Sequence, residues 1–96
     1  MAKVYVITAT DQYSESWVEK IYSSLDLAKS YLLMNYKYWW ENRADLDQED
    51  YEESIRSIED INNSDLNGRS FYVDLYHRGI ELTLDLIEVD EMPDII

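Results

Sequence analysis

The spacing of apolar residues changes twice along this chain of 96 residues, and that change constrains the fold more than any other feature. Near both ends the apolar residues form short β-branched or alternating runs, which predicts strands. Between them, over about residues 23–62, apolar residues recur every three or four positions, which predicts helices. A chain of this length supports one hydrophobic core, so we expect a single domain over residues 1–96.

The first two predicted strands are Lys3–Thr10 and Trp17–Tyr22. Apolar residues lie on both faces of the first strand, which predicts a central position in the sheet. The polar link Asp11–Glu15 is short, so the two strands should form an antiparallel hairpin. Simple alternation in the second strand places Trp17 and Ile21 on one face and Val18 and Tyr22 on the other.

Two helices are predicted in the middle of the chain. Ser23 fits an N-cap with Asp26 three residues later, so the first helix should run from there to about Arg43. Its apolar band is wider than one stripe, which predicts that it is covered on more than one side. Asp47 fits a second N-cap, and the second helix should run to about Asn62.

A second hairpin is predicted near the C-terminus. Residues alternate in Ser70–His77 and again in Ile80–Val89, with a turn at Arg78-Gly79. The tail, residues 90–96, contains the only proline and is expected to be flexible. The resulting order, β-β-α-α-β-β, predicts an α+β domain with a four-stranded antiparallel sheet and two helices packed on one face. The sequence leaves the strand order open.

The charge is strongly negative and unevenly distributed. Eight basic residues against 21 acidic ones give a net charge of −13. Residues 1–40 contain four lysines and four acids and sum to zero, whereas residues 41–96 contain four arginines and seventeen acids. This excess opposes direct binding to nucleic acid or an anionic membrane and favours a basic protein partner. With no cysteine, no signal peptide and no membrane span, we expect a cytoplasmic location.

The sequence predicts no catalytic residue, cofactor or metal site, and hence no enzyme. His77 is the only histidine and has no nucleophile in a recognisable motif beside it, so we interpret it as a surface residue at a turn. Asp45–Asp50 resembles the start of an EF-hand loop. It lacks the required glycine at the sixth position, which is Asp50, and the glutamate at the twelfth, which is Arg56.

The segment between Asp45 and Asp60 is the predicted binding surface. A helix with acids at four-residue spacing can present charge much as a nucleic-acid backbone does. The simpler interpretation is a solvated helix face, but solubility requires a charge of magnitude only about 2–8. Tyr38 and Trp40 precede the segment and are predicted as apolar anchors. The predicted acidic contacts are Asp45, Asp47, Glu49, Asp50, Glu52, Glu53, Glu59 and Asp60.

In size, lack of cysteine and this acidic segment, the chain resembles the anti-CRISPR proteins with which phages and mobile elements block the type II effector nuclease. The resemblance implies inhibition, inside a bacterial host cell, by occupation of a nucleic-acid groove. The neutral first half departs from that pattern. We therefore expect a non-catalytic inhibitor that mimics nucleic acid and binds a basic nuclease. The alternatives are an immunity protein or antitoxin for a basic toxin, and an oligomeric structural or regulatory module, such as a homodimer through the first helix.

Overall fold

The computed structural model describes residues 2–41, 48–75 and 79–90, excluding the side chains of residues 39–41, 48 and 50. It confirms the predicted α+β class and the order β-β-α-α-β-β. The elements are β1 (Ala2–Asp11), β2 (Ser16–Tyr22), α1 (Leu25–Glu41), α2 (Gln48–Glu59), β3 (Phe71–Leu75) and β4 (Ile80–Val89). The predicted flexible tail lies outside the described residues, apart from Asp90.

The four strands form one antiparallel sheet in the order β2-β1-β4-β3. The first and last strands of the chain are therefore neighbours at the centre, and each carries its own hairpin partner outward. This arrangement confirms the central position predicted for β1, whose Val4, Tyr5, Ile7 and Ala9 are all buried. Among the described strands, β2 and β3 form the two edges of the sheet.

A β-bulge in β2 makes the predicted faces of that strand wrong. Ile7 pairs with Lys20 and Thr8 pairs with Val18, so Glu19 is an extra residue in β2. Because directly paired residues share a face, the bulge reverses the alternation beyond it. Tyr22 and Trp17 therefore lie on the same face of the sheet as their cross-strand partners, Tyr5 and Ala9. Ile21 and Val18 lie on the other face with their partners, Val6 and Thr8.

One hydrophobic core joins one face of the sheet to both helices. α1 contacts β1, β2 and β3, and α2 packs against α1. The rings of Tyr36 and Tyr51 stack with centroids 5.9 Å apart, which fixes the two helices side by side. Full burial of a large aliphatic side chain stabilises the fold by about 1.5–3 kcal/mol. The fully buried large side chains are Ile7, Leu32, Ile58, Leu75, Leu82 and Leu84.

The ends of several elements differ from the predicted bounds. The Oγ of Ser24 accepts a hydrogen bond from the backbone N–H of Leu27 at 3.2 Å. Ser24 is therefore the N-cap of α1, and the capping box predicted from Ser23 and Asp26 is wrong by one residue. α2 ends at Glu59 instead of Asn62, and β3 begins at Phe71 instead of Ser70. The predicted N-cap Asp47, the predicted helix end Arg43 and the turn residues His77 and Arg78 lie outside the described residues.

The loop between α2 and β3 is held by side-chain hydrogen bonds. The backbone N–H of Asn62 donates to Asp65 Oδ2 at 2.9 Å, and that of Asp65 donates to Asn62 Oδ1 at 3.0 Å. Leu66 is buried in the core below them. The hydroxyl of Tyr5 donates to Asn63 Oδ1 at 2.7 Å, which ties the loop to the central strand. The loop therefore fixes the C-terminal end of α2 against the sheet.

Candidate binding surfaces

The acids of α2 whose side chains the structure describes are all exposed to solvent. With 100° per residue, Glu49, Glu53 and Asp60 fall within about 40° of one another on the helix circumference. Glu52 and Glu59 form a second row about 80–100° away. Asp60 keeps helical spacing, because its backbone N–H donates to the carbonyl of Arg56 at 2.9 Å. The first row consequently points away from the core residue Ile58.

Lys29 and Lys37 lie beside the second row, whereas Arg56 lies between the two rows on the helix circumference. Lys29 donates from Nζ to the backbone carbonyl of Glu59 at 2.7 Å, where a cation complements the C-terminal end of the helix dipole. Lys37 and Arg56 border the same shallow depression as Glu52. In the described part of the chain, no ion pair is found for Glu53, Glu59 or Asp60. Both rows of α2 therefore present exposed carboxylates.

Several acids elsewhere are used in local structure, which distinguishes them from those of α2. Asp11 accepts hydrogen bonds from the backbone N–H groups of Tyr13 and Glu15 at 2.8 and 3.0 Å. Asp65 caps the loop after α2, and Asp85 accepts a hydrogen bond from the hydroxyl of Ser70. Such contacts specify turns and strand ends. They explain part of the acidic composition without a partner. Among the described residues, no such local contact is found for the carboxylates of Glu53 and Asp60.

Six of the ten predicted contact residues have described side chains. Asp45 and Asp47 lie outside the described residues, as do the side chains of Trp40 and Asp50. Tyr38 is 62% exposed on α1, and Met34 and Leu27 are 61% and 45% exposed. These three residues recur at intervals of seven and four, so they form one apolar stripe along α1. The sequence predicts the wide apolar band, and the structure shows which part of it stays uncovered.

A groove along the edge strand β3 is a feature that the sequence analysis missed. It has a volume of about 400 Å³ and lies between β3 and α2. Successive side chains of a strand point to opposite faces, so a groove lined by four consecutive residues runs along the strand's edge. The only sequence signal for it is a pair of small residues, Ser54 and Ser57, on the side of α2 nearest β3. The lining residues are Tyr36, Ser54, Ser57, Ile58, Phe71, Tyr72, Val73 and Asp74.

Two carboxyl groups lie together at one end of this groove. Asp74 on β3 pairs directly with Glu81 on β4, and the two side chains are hydrogen-bonded. Partial burial raises the pKa of Glu81, and the hydrogen bond and the negative charge of Asp74 raise that pKa further. Like charges directly opposite in a sheet are destabilising. This end of the sheet therefore attracts a proton or another cation.

No group of three or more His, Cys, Asp or Glu side chains within residues 2–41, 48–75 and 79–90 could hold a metal ion. His77 lies outside those ranges. Over the same ranges, no helix is both long enough and apolar enough to cross a membrane. The described part of the chain thus offers two kinds of surface, one acidic and one apolar, and a groove that combines them.

Comparisons with known proteins found no match: no family model, no curated protein and no solved structure is similar to this chain.

Proposed function

We propose that this chain is a non-catalytic inhibitor that binds a basic nucleic-acid-binding protein, such as a nuclease, through the acidic face of α2. The observation that carries the proposal is the exposed row of Glu49, Glu53 and Asp60, turned away from the core on a helix fixed by Tyr51 and Ile58. The helix holds the backbone of these residues in place, so the conformational entropy lost when a partner binds is confined to their side chains.

The spacing of Glu49 and Glu53, which are four residues apart, supports mimicry of nucleic acid. Residues four apart on a helix are separated by a rise of about 6 Å, and consecutive phosphates of one strand rise by about 3.4 Å along the duplex axis. The two charge spacings become similar when the distance between phosphates is measured along the helical path of the strand instead of along the duplex axis. Charge of one sign on one face also accelerates association with a basic groove, and this effect weakens as salt increases.

Charge reversal tests the proposal. We would replace Glu49, Glu53 and Asp60 by Lys together and capture basic proteins from a bacterial lysate at low salt. The captured nucleic-acid-binding protein would then be assayed for DNA binding or cleavage with and without the chain. We expect the variant to lose both capture and inhibition while its circular dichroism stays unchanged, and nucleic acid to compete with the wild-type chain.

A matched variant controls for total charge. Glu15, Glu88 and Asp90 are also exposed, and replacing them by Lys changes the net charge by the same amount. This variant should still inhibit. Equal loss of inhibition in both variants would show that only the net charge matters. Inhibition by the α2 variant would refute the proposal that the acidic face of α2 binds the partner. Inhibition that nucleic acid cannot displace would favour an immunity protein or antitoxin, which binds elsewhere on its toxin.

The exposed stripe on α1 favours a second candidate, an oligomeric structural or regulatory module. Leu27, Met34 and Tyr38 form an apolar row that a second copy could cover. A light-scattering mass near 11.5 kDa at high protein concentration would exclude self-association. A mass near twice that value, returning to the monomer after Met34→Lys, would support the homodimer.

A further inference from the structure

The groove between β3 and α2 has the geometry of a site for an extended peptide. Among the strands that the structure describes, β3 is the last in the sheet order and pairs only with β4. An edge strand leaves alternate backbone N–H and C=O groups without a strand partner. Within the described residues, no backbone–backbone hydrogen bond outside the sheet involves β3. At about 3.3 Å per residue, its five residues match a peptide of four or five residues.

The two walls of the groove differ in chemistry. On the core side it is floored by Val73 and Ile58, both buried, with Phe71 beside them. On the outer side lie Tyr72, which is exposed, and Asp74. Because side chains of an added strand would alternate between these two sides, one set would contact apolar atoms. The other set would lie beside a tyrosine ring and the Asp74–Glu81 carboxyl pair.

We propose that this groove binds an extended segment of the partner, which adds to β3 as a fifth antiparallel or parallel strand. Its apolar side chains pack on Val73 and Ile58. Its Lys or Arg side chains lie on Tyr72 and beside the Asp74–Glu81 pair, where a cation is attracted by both the ring and the carboxyls. Main-chain pairing supplies affinity and the alternating side chains supply specificity, as in other domains that bind peptides at a sheet edge.

Charge complementarity selects a basic segment over a second copy of this chain. Pairing of β3 with the β3 of another copy would bring two acidic α2 helices and two Asp74–Glu81 pairs together. Each copy carries a net charge of −13, and like charges brought together oppose association. The positive charge of the occupant rests on the proposed function, whereas the strand-like binding mode rests on the geometry of the edge.

Peptides provide a direct test of the binding mode. The probe is an acetylated and amidated Lys-Val-Lys-Val-Lys peptide, titrated into the isotope-labelled full chain while backbone amide signals are followed by NMR. We expect concentration-dependent shifts at β3 and slower amide exchange there. A peptide with glutamate in place of lysine should not bind. A peptide with the lysine charges but N-methylated at alternate amides should bind at least roughly tenfold more weakly, since it cannot pair with the strand.

Two matched serines test the location. Ser57 lines the groove, and Ser30 lies on α1 away from it; each is exposed and donates to the carbonyl four residues earlier, Glu53 at 3.0 Å and Asp26 at 2.9 Å. Ser57→Phe should narrow the groove and lower the affinity for the peptide at least roughly tenfold. Ser30→Phe should leave that affinity unchanged. Because the two substitutions make the same local change on a helix, a shared effect on folding cancels in the comparison.

The outcomes separate this proposal from the proposed function. If the N-methylated peptide binds as tightly as its parent, binding is only electrostatic and the groove proposal is overturned, while the acidic face of α2 can still act. Shifts at β3 on dilution without any peptide would show that a second copy occupies the edge, which also overturns it. Strand-like peptide binding that persists in the α2 charge-reversal variant would support the groove even where inhibition is lost.

Discussion

Replacement of Glu81 by Gln should make the protein more stable at neutral pH. Glu81 lies directly opposite Asp74 across the β3–β4 pair, and two carboxylates in that position repel each other. A cross-strand pair of this kind changes stability by roughly 0.2–1 kcal/mol. For a domain of this size, that range corresponds to an increase in the thermal midpoint of about 1–8 °C.

The increase in stability caused by Glu81→Gln should depend on pH. The direction of the pKa shift of Glu81 determines whether the increase is larger at low or at high pH. Partial burial and then Asp74 raise the pKa of Glu81 above its ordinary value. The folded protein therefore holds the proton more tightly than the unfolded chain does. This contribution to stability is complete below the ordinary pKa of Glu and is lost as the pH rises through the raised one. The benefit of Glu81→Gln should accordingly be small near pH 4 and largest at pH 7–8.

The assay is chemical denaturation of the wild type and variants at pH 4 and at pH 7.5. Glu88→Gln is the matched control, because Glu88 lies on the same strand but pairs with Lys3. It should be neutral or slightly destabilising at pH 7.5. In a double-mutant cycle, the effects of Asp74→Asn and Glu81→Gln should not add, since either one removes the repulsion. A loss of stability for Glu81→Gln at pH 7.5 would refute the reasoning.

Three further predictions concern the fold. Ser24→Ala should destabilise the protein by about 0.5–2 kcal/mol because it removes the N-cap of α1, whereas Ser23→Ala should have little effect; urea denaturation distinguishes them. Leu32→Ala should cost about 2–5 kcal/mol, measured in the same way, because Leu32 is fully buried in the core. Tyr5→Phe should cost roughly 0.5–1.5 kcal/mol and speed amide exchange in the loop at Asn63, as seen by NMR, since it removes the hydrogen bond that joins loop and sheet.

The element order could be predicted from the sequence because the apolar period differs between strands and helices. Alternation in β4, where Leu82 and Leu84 are buried and Glu81, Thr83 and Asp85 are only half-buried, is a local signal. Apolar residues on both faces of β1 likewise reveal a central strand. Neither signal depends on knowing which elements pack together. The order β2-β1-β4-β3 depends on long-range pairing, and the sequence leaves it open.

The errors arose where local patterns compete with tertiary structure. Ser23 and Ser24 are both acceptable caps, and the hydrogen bond to Leu27 decides between them. No glycine or proline near Glu19 indicates the bulge in the sequence. The faces predicted for β2 from simple alternation are therefore wrong. The groove requires α2 to lie beside β3, which no spacing within either element encodes. Only the small size of Ser54 and Ser57 is visible in the sequence.

The acids at the β3 edge also protect it from non-specific pairing, and this role is compatible with selective binding. Exposed edge strands pair with other chains unless charge or shape prevents it. Asp74 and the acidic face of α2 repel a second copy of this chain and any acidic strand. The same groups attract a segment that carries lysine or arginine. Repulsion of the wrong partners and attraction of the right one both increase the difference in affinity that defines specificity. A negative charge in excess of what solubility requires is therefore consistent with a domain that keeps one edge open for a basic strand.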